Sequence, residues 1–250
     1  MAKELISKNG PKSVYVENGK AYKVFDAGFP KSEVLHEAFV TARVEEIDGV
    51  HVAGVLGVSQ DEEGRWVIEK EYIEGKTLLQ LMDEHPEKQD EYVEKMVDLQ
   101  LSIFAKKAPL LEKMKGKLTY QINGLNTIDA ATRYELLTRL ESMPKHFKLC
   151  HGDFRPSNII VKEDGTMYLI DWVHATQGNA SGDVARTYIT LYMKDKELAK
   201  KYYDCFCAKT STDPSYVNKW LPIIAAANLT KERPEEKEVL ESWLSIADHM

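Results

Sequence analysis

Two neighbouring stretches carry side chains with usable chemistry: His151-Gly152-Asp153-Phe154-Arg155-Pro156-Ser157-Asn158, and Ile170-Asp171-Trp172. Asp153 can accept a proton from an attacking hydroxyl. Asn158 and Asp171 can offer oxygens to magnesium, which prefers oxygen ligands and is usually held by one or two carboxylates together with substrate phosphates. A base and a magnesium site are the groups that phosphoryl transfer requires. Asn158-Ile159-Ile160-Val161 and Met167-Tyr168-Leu169-Ile170 read as two short strands, with Asp164-Gly165 as the turn between them. Such a hairpin would bring Asn158 and Asp171, at its outer ends, close enough to share a metal. The plainer reading is a polar loop beside an ordinary hairpin. It does not explain why the spacing, the hairpin and the upstream elements agree.

The pattern H-G-D-x-x-x-x-N followed by I-D-W resembles the aminoglycoside phosphotransferase and choline kinase-like group of small-molecule kinases, which share the protein kinase-like fold. The resemblance implies a two-lobed α+β fold, with a small antiparallel β-sheet and one helix in the N-terminal lobe and a mainly helical C-terminal lobe. It implies Asp153 as the base, Asn158 and Asp171 as the metal ligands, and ATP with magnesium as cofactors. Gly152 stands where protein kinases carry arginine, and Trp172-Val173 replaces their Phe-Gly. No A-P-E element follows, and no long activation segment separates Asp171 from the helix starting near Asp183. These departures point away from a protein kinase and toward the small-molecule branch.

The N-terminal part must position these groups. Leu5 to Asp26 read as two strands, with Val14-Tyr15-Val16 leading into the Asn18-Gly19 turn and Ala21 to Phe25 as the return strand. Lys23 matches the strand lysine that pairs with α- and β-phosphates in the family. Ser7 to Ser13 matches, in position, the loop over the ATP phosphates, although it holds a single glycine, Gly10. Ser13 and nearby backbone amides are its candidate phosphate contacts. Lys31 to Glu46 is helical in pattern, with Ser32 as its expected N-cap. Within it Glu37 matches the glutamate that orients the lysine, and Glu33 and Glu45 compete for that part. Two further strands, His51 to Ser59 and Trp66 to Tyr72, complete the sheet. Glu71-Tyr72-Ile73-Glu74-Gly75 resembles the hinge whose backbone, at Glu71 and Ile73, meets the adenine edge. Lys70 replaces the usual apolar residue there, which leaves GTP open beside ATP.

From Lys76 the periodicity becomes helical, so the lobes divide as 1–74 and 75–250. Helices are expected around Leu78 to Met82, Val93 to Phe104, Ile128 to Met143, Lys196 to Lys209, Tyr216 to Leu229 and Glu235 to His249. Pro109 to Asn126 reads as a loop with a partial helix. Gly178 and Gly182 read as irregular backbone. Asp183 resembles the family aspartate that braces the catalytic loop through backbone hydrogen bonds. His174 is expected to be structural or to contact substrate. Arg155, two residues after Asp153, brings a permanent charge suited to the moving phosphoryl group. The alternative is an arginine that points outward or pairs with a structural carboxylate.

Net charge −7 argues against general nucleic-acid binding and is compatible with a cationic or neutral acceptor. No apolar run is long enough to span a membrane. Three cysteines provide no disulfide framework and fit a reducing, cytoplasmic setting. The expected activity is transfer of a γ-phosphoryl group to a hydroxyl of an aminoglycoside-, amino alcohol- or sugar-like small molecule. The rival is a catalytically silent nucleotide-binding regulator, against which the intact Asp153, Asn158 and Asp171 argue. Oligomeric state is not legible in the sequence.

Overall fold

The computed structural model describes residues 4–244. It opens with β1 (Glu4–Asn9), β2 (Lys12–Glu17), β3 (Lys20–Phe25), α1 (Lys31–Glu45), β4 (Val55–Gln60) and β5 (Trp66–Glu71). There follow β6 (Lys76–Thr77), α2 (Leu78–Glu84), α3 (Gln89–Phe104), α4 (Met114–Gly124), α5 (Ala130–Ser142) and β7 (Lys148–Cys150). The remainder comprises β8 (Ile159–Val161), β9 (Met167–Leu169), β10 (Thr176–Gly178), α6 (Ala180–Tyr192), α7 (Lys196–Thr210), α8 (Pro214–Asn218), α9 (Leu221–Leu229) and α10 (Pro234–Leu244). The chain folds as two compact units. One holds the described residues up to Leu81 together with Pro156–His174, and the other holds Met82–Arg155 and the described residues from Ala175 on.

In the first unit five antiparallel strands lie in the order β1-β2-β3-β5-β4. Asn18 and Gly19 both adopt positive φ (51° and 73°), the geometry of a tight hairpin whose twist matches its strands. Phe25 and Ile68 of the sheet pack against Val34 and Ala38 of α1, and all four are buried. Ser32 does not cap α1. Pro30 takes that place, extended at φ −61° and ψ 125°, and its carbonyl accepts from the amides of Glu33 and Val34. A proline there is already set for helix entry, and the absence of a side-chain cap goes with it.

The β1 strand has no counterpart in the two strands expected over Leu5 to Asp26. All six of its residues are exposed. An edge strand with no buried face shows no alternation from which to read it. Its pairing with β2 narrows the loop expected over Ser7 to Ser13 to a turn at Gly10-Pro11. A second small sheet runs β6-β8-β9. Lys162 to Thr166 connect β8 to β9, with the Thr166 amide donating to Asp164 Oδ1 at 2.8 Å. At Gly75 the chain passes so close to β8 that a Cβ would lie 2.4 Å from the Val161 carbonyl oxygen.

The second unit is mainly helical, with β7 and β10 forming an antiparallel pair. Every residue of α9 is buried, as expected of a helix apolar all round. The single helix expected over Tyr216 to Leu229 is two helices, because Pro222 occupies the first turn of α9 and starts a new segment there. The Pro109 to Asn126 region contains the full helix α4. Gly178 and Gly182 lie in β10 and the first turn of α6. They leave room for Met114, whose side chain a Cβ would meet at 2.5 Å and 3.0 Å respectively. The end of the expected helix Glu235 to His249 lies outside the described residues.

Gly75→Ala should destabilise the fold by about 1–3 kcal/mol, because the obstructing atom is backbone and cannot rotate away. Gly116→Ala, on α4 with nothing within 4 Å, should instead be neutral or stabilising by roughly 0.5 kcal/mol. Thermal denaturation of the two variants compares them directly, and equal midpoints would contradict the packing at Gly75.

Candidate active site

Lys23 lies on β3, opposite Val14 on β2 and Ile68 on β5. Directly paired residues of an antiparallel sheet share a face, so Lys23 points to the side covered by α1. Of the three glutamates considered on that helix, Glu37 meets it, with Lys23 Nζ 2.6 Å from Glu37 Oε1. Glu45 instead accepts the Val55 amide at 3.1 Å. Lys23 Nζ also donates to Asp171 Oδ1 at 3.0 Å. Glu37 is 1% exposed, and two more lysines reach it, Lys12 and Lys70, each at 3.4 Å.

These charges shift one another. Burial pushes Glu37 up, but Lys23 and Lys70 outweigh it and hold the carboxyl below its usual range. Burial also opposes ionisation of Asp171, yet Lys23, then Lys70 and Lys12, keep it well below the usual carboxylate range. Lys23 is desolvated but raised by Asp171 and Glu37. Lys70 is depressed: burial dominates, Glu37 compensates only in part and Lys23 repels it. The ammonium of Lys70 thus sits on Glu37 rather than standing alone in a base pocket. Lys12 escaped the sequence reading. The signal was available in strand alternation, since Lys12 pairs with Phe25, two residues from Lys23 and on the same face.

Ser13 is not brought to Lys23. It pairs with Val24, which faces the other side of the sheet. Glu71 closes β5, where its amide donates to the Gly54 carbonyl at 2.9 Å and its carboxylate accepts the Gly54 amide at 3.1 Å. Ile73 lies in the irregular stretch between β5 and β6. Among the described residues, neither its amide nor its carbonyl pairs with another main-chain group.

The β8–β9 hairpin does join its ends. The Ile170 amide donates to the Asn158 carbonyl at 2.9 Å, which sets Asn158 beside the residue preceding Asp171. Asn158 is 5% exposed. Asp171 has φ 65°, in the left-handed region that costs most residues energy but that aspartate tolerates. Among the described residues there is no group of three or more His, Cys, Asp or Glu able to cage a metal ion. One carboxylate and one amide oxygen suit magnesium, which keeps waters and takes further ligands from substrate phosphates. His174 ends the 3-10 turn Trp172–His174, and α1 packs against that turn.

Asp153 and Arg155 belong to the second unit, where the loop is held by Asp183. The carboxylate of Asp183 accepts the Gly152 amide at 2.8 Å and the His151 amide at 3.2 Å. Gln100 Nε2 donates to it at 3.4 Å. Gly152 has φ 80°, a conformation glycine takes without cost, and this turn aims both amides at one carboxylate. His151 Nδ1 accepts the Asp153 amide at 3.1 Å, so its proton sits on Nε2. Arg155 neither points outward nor seeks a remote carboxylate: its Nη2 is 3.2 Å from Asp153 Oδ2. Sequence reading also missed Arg186, one helical turn after Asp183, whose Nη1 donates to Asn228 Oδ1 at 2.7 Å.

The Lys23–Glu37–Asp171 group makes stability depend on pH. Both carboxyls bind protons less readily folded than unfolded, so their contribution is present above the unfolded values near pH 4 and is lost as pH falls below them. Glu37→Gln should cost roughly 3 kcal/mol near neutrality. In urea titrations the parent's advantage over Glu37→Gln should shrink as pH drops below about 4. A gap that stays constant into acid would contradict the assignment.

No curated protein matches the chain in sequence. Among solved structures, a thermostable mutant of aminoglycoside phosphotransferase APH(4)-Ia, in ternary complex with AMP-PNP and hygromycin B, superposes with TM-score 0.71 at 15% identity, covering 97% of this chain and 90% of that one. Wild-type aminoglycoside 2'-phosphotransferase-IIIa, in its GDP complex, gives TM-score 0.62 at 14% identity over 100% and 94%. Choline kinase LicA from Streptococcus pneumoniae gives 0.64 at 14% identity over 98% and 93%. At such identities the likeness establishes the protein kinase-like fold. A family model matches residues 22–204, a span that includes Lys23, Asp153 and Asp171. The chain belongs to the phosphotransferase enzyme family.

Proposed function

We propose that this protein transfers the γ-phosphoryl group of ATP, with GTP as an open alternative, to a hydroxyl of a small-molecule acceptor. The observation that carries the reading is the lysine held between two carboxylates, Lys23 with Glu37 Oε1 at 2.6 Å and Asp171 Oδ1 at 3.0 Å. A lysine so oriented is a phosphate-binding group. In this reading residues 1–74 serve the nucleotide, with the backbone of Glu71 and Ile73 toward the base and the turn before Ser13 toward the phosphates. Residues 75–250 serve catalysis and the acceptor.

Asp153 accepts the proton of the acceptor hydroxyl, and Asp183 keeps its loop in place from behind. Arg155, on the Asp153 carboxylate, orients the base and stabilises charge on the moving group. Asn158 and Asp171 would hold magnesium, which neutralises phosphate charge when bound. Lys23, held by Glu37, would be the residue that donates to phosphate. The free cysteines fit a reducing cytoplasm, and no helix among the described residues is long and apolar enough to cross a membrane. Aminoglycoside-like, amino alcohol-like and sugar-like acceptors are the classes to test.

Asp153→Asn should keep nucleotide binding and lower turnover by roughly 10²-fold or more. A protein that binds ATP but labels no acceptor in any panel would favour the regulator. Asp171→Ala should weaken magnesium-dependent nucleotide affinity by calorimetry, and an unchanged affinity would remove Asp171 from the metal site. Arg155→Ala should reduce kcat by roughly 10²-fold with KM for ATP nearly unchanged, and Arg155→Lys should recover part of the loss. Normal kcat with a lowered melting temperature would make Arg155 structural.

A further inference from the structure

The turn between β1 and β2 is short of main-chain donors. Only Gly10 and Pro11 lie between the strands, because Asn9 already pairs with Lys12. Proline has no N–H, so Gly10 alone brings an amide to the turn itself. The turn is also pinned, since the Asp26 amide donates to the Pro11 carbonyl at 2.8 Å. A loop that cradles phosphates does so with several successive amides aimed at one place. This turn has no such row, so a phosphate chain beside it needs a donor from a side chain.

Lys12, the first residue after the turn, is such a donor. It pairs with Phe25 and so lies on the face that carries Lys23, two residues earlier on β3. Three lysines share one buried carboxylate there, unequally. Lys23 Nζ takes Glu37 Oε1 at 2.6 Å and Asp171 Oδ1 at 3.0 Å, and Lys70 Nζ lies 3.4 Å from the same Oε1. Lys12 Nζ approaches the other oxygen, Oε2, at 3.4 Å, beyond the roughly 2.7–3.2 Å of an ordinary N–H···O bond. Among the described residues Lys12 has no second carboxylate partner. Its side chain is 29% exposed, against 13% for Lys23 and for Lys70. The rings of Phe25 and Phe29, 5.4 and 5.6 Å from its Nζ, attract the ammonium and steady it.

Lys12, Lys23 and Lys70 thus face Glu37 and Asp171 with one positive charge in surplus. Glu37 does not need the third ammonium, because Lys23 meets it closely and Lys70 stands on the same oxygen. The surplus falls on the lysine that is least engaged and most open to solvent. We infer that Lys12 is a further phosphate-binding residue, whose ammonium grips the phosphate chain of the nucleotide in place of the amides that a glycine-rich loop would supply. The inference rests on the reading that the first unit holds the nucleotide. It also explains how a turn with a single glycine serves that purpose: charge from one side chain replaces a row of main-chain dipoles. The plainer role for Lys12 is a structural counter-ion to Glu37, and the two roles differ in what they do to ligands.

Two probes on the full chain separate them: ATP with magnesium, followed by calorimetry, and adenosine, which lacks phosphates, followed by saturation-transfer NMR because that method reads weak ligands. Lys12→Met should weaken ATP binding at least about tenfold, the scale of one charge-assisted contact, and leave adenosine affinity unchanged. Lys12→Arg, which keeps the charge and the donors, should retain most of the ATP affinity. The melting temperature of Lys12→Met should stay close to the parent's, because Glu37 keeps Lys23 and Lys70. Unchanged ATP affinity in Lys12→Met would overturn the inference. An equal loss for ATP and adenosine, or a variant that no longer folds, would make Lys12 a structural counter-ion and overturn it as well. The other failure is distinguishable: a parent that binds neither ATP nor adenosine refutes the nucleotide reading itself, whatever Lys12 does.

Discussion

Glu37 is an almost fully buried carboxylate in the middle of an apolar helix face. A lone charge there would cost several kcal/mol. It is tolerable because Lys23 delivers an ammonium at 2.6 Å, with Lys12 and Lys70 close behind. That requirement constrains much of the first unit. A slip of one residue in β3 would send Lys23 to the opposite face. A rotation of α1 would carry Glu37 away from the sheet. The Phe25, Ile68, Val34 and Ala38 core holds both in register. Asp171 joins the same lysine from the end of the hairpin, at a backbone conformation in the left-handed region. Burial and ion pairing stabilise one arrangement together, and that arrangement leaves a lysine poised for phosphate.

The second unit solves a related problem with main-chain donors. Asp183 is buried and, on balance, harder to ionise than an ordinary aspartate, because burial outweighs its His151 and amide partners. The two amides it accepts shape the loop that presents Asp153. The chain as a whole carries −7, yet the Asp153 carboxylate has a cation beside it, Arg155 Nη2 at 3.2 Å. Net charge is a sum over surface, whereas binding depends on the few groups that lose water on contact. The acidic surplus of the whole chain therefore does not decide what Asp153 meets.

The sequence determined the elements whose signals are local. Asn18-Gly19, both at positive φ, and Asp164-Gly165, where Gly165 alone is, announced two hairpins. The apolar spacing of Lys31 to Glu46 announced α1, and H-G-D-x-x-x-x-N with I-D-W announced the family. Short-range chemistry suffices for these, because backbone conformation and covalent spacing are written in consecutive residues. Tertiary structure alone decided the rest. It selected Glu37 over Glu33 and Glu45, turned Ser13 away and Lys12 inward, and seated Lys70 on a carboxylate. It paired the wholly exposed β1, split the helix expected over Tyr216 to Leu229 into α8 and α9, and brought Arg186 of α6 to Asn228 of α9. Each of these depends on which residues from distant segments share one small volume, where burial strips water from charges and makes their pairing matter. No local pattern encodes that volume.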